Sequence, residues 1–228
     1  MNPSEPATFR RTITGAAMIA APLVFVLAEL LHARFQTDPA KQLDAIAANT
    51  GRWYAAHMLV LAALVLALPA FVGVLHLLEA HRPRLASVGL VAIAPGAFTL
   101  TALVGMELVA WQMAQPARDR TEMIALWENT AENTGIAPLI LGALLFPIAW
   151  LLVGVGLYVT RAVPRWSAAL IALAQPIGFL GELSGGPKWL AVAAQISFAV
   201  GLIPIGIRVL RKPATRKAPG VRSEAARA

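Results

Sequence analysis

Cysteine is absent from the chain, which excludes a disulfide scaffold and cysteine-ligated zinc. Charge is scarce as well: Asp, Glu, Lys and Arg make up 14% of the residues, where a soluble domain carries about 25%. A chain with so little charge cannot cover a water-facing surface, so a soluble globular domain is excluded. Disorder outside the ends is excluded by 58% apolar residues and a mean hydropathy of +0.67. No Walker loop, dinucleotide fingerprint, nucleophile elbow or His-Glu-x-x-His helix occurs. The familiar sequence signals of nucleotide, dinucleotide and hydrolase chemistry are therefore missing.

What the chain does have is long hydrophobic runs. About 20 apolar residues cross the hydrocarbon layer, and six such runs lie at about 12–33, 54–79, 86–112, 136–160, 166–183 and 189–209. The expected fold is an all-α integral membrane protein of six transmembrane helices. Residues 1–11 precede this domain, 12–209 form it, and 210–228 are a basic tail expected to be disordered. The first run follows Arg10 and Arg11 as a signal peptide would, but it exceeds the usual 7–15-residue core of one and lacks a small-residue cleavage site. It reads as a retained helix.

An even number of spans places both termini on one side. That side holds thirteen Lys and Arg against six on the other, and basic residues favour the cytoplasmic side. The expected placement is a bacterial plasma membrane with both termini inside; alanine at 45 positions and arginine over lysine by fifteen to four suggest a GC-rich bacterial genome. The tail residues Arg208, Arg211, Lys212, Arg216 and Lys217 are expected to contact anionic lipid headgroups rather than nucleic acid. Trp53, Tyr54, Trp111 and Trp189 are assigned to the outer interface, Tyr158 and Trp166 to the inner one.

The odd-numbered spans share an arginine followed eleven residues later by proline, at Arg11/Pro22, Arg84/Pro95 and Arg165/Pro176. Each then carries Glu-Leu near its outer end, at Glu29, Glu107 and Glu182. The even spans have mid-span prolines at Pro69, Pro147 and Pro204. The first two outer loops contain amphipathic segments near 39–48 and 120–132, followed by Asn49-Thr50-Gly51 and Asn133-Thr134-Gly135. Asp38 with Pro39, and Asp119 with Glu122, are the expected helix starts. These segments are expected to lie flat on the outer surface. Three hairpins repeated in parallel account for the pattern.

From Leu157-Tyr158 through Val163-Pro164-Arg165-Trp166 to Ala168 the chain resembles a bacterial multi-pass membrane family classed as a domain of unknown function. The resemblance extends loosely over residues 55–183. It implies a multi-pass architecture and no activity or site residues.

Ionisable groups inside a span cost on the order of 2.5–3.5 kcal/mol at the helix centre and are functional suspects by default. Glu29, His32, His57, Glu107 and Glu182 all fall within roughly 10 Å of the outer boundary at a rise of about 1.5 Å per residue. Together they are candidates for one outward-facing site that binds a ligand, a proton or a cation. Two imidazoles with two or three carboxylates also suit a single divalent metal such as Zn²⁺, Fe²⁺ or Mn²⁺. Structural pairing is the plainer alternative, Glu29 with Arg34 or Arg52 and Glu182 with Lys188. His76 and Glu79 read as inner-interface charges, and Gln175 and Gln195 as interhelical hydrogen-bonding groups.

Three functions remain open. One is binding or transport of a small molecule or ion, for which so small a bundle is expected to form a homo-oligomer. Another is an interaction or sensory subunit without chemistry of its own. The third is an intramembrane metal-dependent enzyme. The sequence leans away from an enzyme.

Overall fold

The computed structural model describes residues 4–132 and 136–211. Among these residues there are helices and no strands: α1 (Ser4–Leu31), α2 (Pro39–Ala47), α3 (Thr50–Glu79), α4 (Pro83–Met113), α5 (Arg120–Glu132), α6 (Ala137–Ala143), α7 (Leu145–Thr160), α8 (Arg165–Leu183) and α9 (Lys188–Arg211). Six stretches are long and apolar enough to cross a membrane, with α6 and α7 together forming one of them. The protein is thus a multi-pass, membrane-embedded helical bundle. Asn133-Thr134-Gly135, Lys212, Arg216 and Lys217 lie outside the described residues.

α1 begins well upstream of the hydrophobic run, at Ser4, because Pro6 falls in its first turn, where a missing N–H is tolerated. The break between α6 and α7 has a proline cause as well. Pro147 cannot donate to the carbonyl of Ala143, yet Leu144 keeps helical torsions (φ −59°, ψ −25°), so one hydrogen-bonded step is lost without a turn. Each spanning helix packs against its chain neighbours, and α9 returns to α1, which closes a ring; α3 and α7 also touch across it. In one half of the ring the interior is solid. Met18, Phe71, Trp150, Ile171, Phe198 and Leu202 are fully buried there. The Trp150 ring meets Phe71 and Phe198 edge-on at centroid distances of 4.8 Å.

The connections at the other end form a second, small core. Leu43 and Ile46 of α2 are fully buried with Trp53, Ala110 and Met113, and Met123, Ile124 and Trp127 of α5 pack against them. α2 starts where Asp38 accepts from the Lys41 amide at 2.8 Å, and Asp119 accepts from the Glu122 amide at 3.0 Å. Arg120 ties the two segments together through the Ala40 carbonyl at 2.8 Å and the Asp44 carboxylate. Leu43 and Ile46 of α2 thus meet protein, while Met123, Ile124 and Trp127 of α5 are partly covered by it.

Residues 157–168 form the corner between α7 and α8. Arg161 closes α7 in the left-handed region (φ 55°), and Pro164 starts α8 from an extended backbone. The Arg165 guanidinium lies 5.3 Å from the Tyr158 ring centroid.

Candidate functional site

Between the small core and the solid half of the ring lies a cavity of about 240 Å³. Its wall includes all five ionisable residues singled out in the sequence: Glu29 and His32 from the end of α1, His57 from α3, Glu107 from α4 and Glu182 from α8. Phe146 and Pro147 supply the α7 wall at the helix break, and Gln175 and Gln195 the deeper end. Those two amides bond across α8 and α9, Nε2 of Gln175 donating to Oε1 of Gln195 at 3.2 Å.

The five groups divide into two clusters on the shared wall. In the first, His32, His57 and Glu107 bring one ligand atom each to within 4.8 Å of one another. His57 is fully buried and its Nε2 pairs with Oε2 of Glu107, while Nε2 of His32 lies 3.7 Å from the same oxygen. Nδ1 of His57 faces the backbone carbonyl of Trp53 at 2.7 Å, one turn earlier on α3. A carbonyl only accepts, so Nδ1 carries a proton there. In the neutral ring Nε2 is then a lone pair aimed at a carboxylate oxygen. Two acceptors face each other unless a second proton or a cation lies between them.

In the second cluster, Nζ of Lys188, at the start of α9, pairs with Glu29 and lies 3.8 Å from Oε1 of Glu182. This corrects the pairing expected for Glu29. Arg52 instead donates to the carbonyls of Leu31 and Leu30 at 2.6 and 3.1 Å, and Arg34 to the carbonyl of Gly185 at 2.6 Å. The end of a helix in apolar surroundings has unpaired carbonyls and a partial negative charge, which draw guanidinium groups.

Trp53 has a role that the sequence reading did not assign. It is 2% exposed, so it is no interfacial anchor. Its indole N–H donates to the backbone carbonyl of Glu107 at 3.1 Å, and its ring lies 4.4 Å from that of His57 and 5.1 Å from that of His32, centroid to centroid. The available signal was the four-residue spacing of Trp53 and His57, which stacks them on one helix face.

Three carboxylates against one ammonium leave two negative charges uncompensated around the cavity when both imidazoles are neutral. The chain matches no family model, no curated protein and no solved structure. Its function therefore has to come from this geometry.

Proposed function

We propose that the protein binds a small cation or cationic solute in this cavity and takes part in its passage across the membrane. The observation that carries the reading is the composition of the cavity wall: three carboxylates face one ammonium, and with both imidazoles neutral the two unbalanced negative charges favour a mobile positive species that fits. Passage would require a rearrangement, because the solid half of the ring closes the route. Mid-span prolines at Pro22, Pro95 and Pro176 are the natural places for helices to bend, in keeping with three repeated hairpins. The Lys and Arg count supports a plasma-membrane orientation with both termini inside and the cavity end outside. It also leaves Arg208 and Arg211 near anionic headgroups.

The absence of cysteine allows a direct test. A single cysteine at Leu103, on the cavity wall, is compared with one at Ala117, an exposed loop residue, in chelator-treated protein in detergent. Normalised to Ala117→Cys, Leu103→Cys should react at least about tenfold faster with cationic aminoethyl methanethiosulfonate than with its anionic sulfonatoethyl counterpart. Equal normalised rates, or no reaction with either, would overturn the reading.

A further inference from the structure

We infer that the cation is a divalent transition metal, held by His32, His57 and Glu107; the inference rests on the cavity reading above. The donor set is the first reason. Two imidazole nitrogens and one carboxylate suit zinc, cobalt, iron or manganese, whereas calcium and magnesium take oxygen ligands. Spacing is the second. A tetrahedral ion with bonds of about 2.1 Å holds its ligand atoms about 3.4 Å apart. Nε2 of His32 and Oε2 of Glu107 are 3.7 Å apart, and all three donor atoms fall within 4.8 Å of one another. Nε2 of His57 and Oε2 of Glu107 are in direct contact and would have to part by about 1 Å to seat the ion.

Orientation is the third reason. Nδ1–H of His57 is already directed at the Trp53 carbonyl, the outer hydrogen bond that points a metal-bound imidazole's Nε2 at its ion. Glu107 is anchored through its backbone by the Trp53 indole, which couples the two ligand-bearing helices. His32 lacks such an outer hydrogen bond, since its Nδ1 is buried with no partner among the described residues, and its ring is held instead against Trp53 and His57. Charge is the fourth. With both imidazoles neutral, as ligation requires, a divalent ion would balance the two excess carboxylate charges of the cavity wall. Three protein ligands leave further coordination positions for water or a solute from the cavity.

The test is a Co²⁺ titration of chelator-stripped, full-length protein in detergent. One equivalent should produce the intense visible absorption of a four- or five-coordinate site, and Zn²⁺ should abolish it. His57→Gln and Glu107→Gln should each weaken Co²⁺ binding by about 100-fold or more, exceeding the 10–100-fold typical of outer-shell changes. His76→Gln, on an exposed histidine at the other end of α3, should bind as the parent does. Thermal melts identify variants that fold, and two independent ligand changes guard against one of them failing to do so. No absorption from the folded parent, or parental binding in a folded His57→Gln or Glu107→Gln, would overturn the metal site. If the Leu103→Cys charge preference survives that result, only the metal assignment falls. If that preference is absent, the cavity reading itself fails.

Discussion

Lys188 reaches from the first turn of α9 to carboxylates on α1 and α8, and its side chain is about one-quarter exposed. Removing it would leave Glu29 and Glu182 facing each other across a partly dehydrated wall without a counter-ion. Lys188→Met should therefore cost about 1 kcal/mol, roughly 2–4 °C in Tm for a chain near this size. Adding Glu29→Gln should restore most of the loss, because the repulsion disappears with the second charge. Thermal melts of the two single variants and the double variant read this coupling. Additive losses would mean that Lys188 acts through packing of its stem rather than through its charge. The sequence marked the Lys188–Glu182 pair from proximity in the chain. It could not show that Glu29, 159 residues away, is the nearer partner.

Helix contacts here are set by small residues, since lipid gives apolar side chains little reason to prefer one another. Gly154 is one instance. A Cβ on it would stand 2.6 Å from the backbone of Ala172, so α7 and α8 meet there with no room for a side chain. Gly154→Leu should force the two helices apart and destabilise the bundle by about 1–3 kcal/mol. Gly51, whose added Cβ meets nothing within 4 Å, is the matched control, and Gly51→Ala should hold or slightly raise the Tm. Melting curves in one detergent compare the two. At this scale the hydrophobic runs located all six spanning helices, and the Asp38 and Asp119 caps located the starts of α2 and α5. The apolar faces of those two helices were legible from their spacing; what they pack against was not, because an apolar stripe does not name its partner.

For the molecule as a whole, the proposed orientation rests on the distribution of Lys and Arg around a six-span bundle. Single cysteines at Ala117 and Ser184 should react with an impermeant thiol reagent in intact cells, and one at Ala80, in the α3–α4 turn, only after lysis. Labelling at Ala80 with silence at Ala117 and Ser184 would invert the orientation and place the cavity end inside. The ring arrangement bears on function at this scale too. Its solid aromatic half and its hollow, acidic half are joined along the same six helices, so a ligand in the cavity bears on every spanning element.

Hydropathy alone determined that the chain is a helical membrane protein with six spans, because the cost of exposing polar backbone to lipid leaves few other solutions. It also brought the five ionisable residues to one depth, since depth follows from residue count along a helix. Depth is a single coordinate. Whether Glu29, His32, His57, Glu107 and Glu182 face one another or face lipid depends on how each helix is rotated and on the order in which the helices close the ring. Those are set by contacts between residues far apart in the chain, such as Gly154 against Ala172 and Trp53 against Glu107. The tertiary structure alone decided that the residues converge. It then divided them into a lysine-bridged pair of carboxylates and a His-His-Glu cluster.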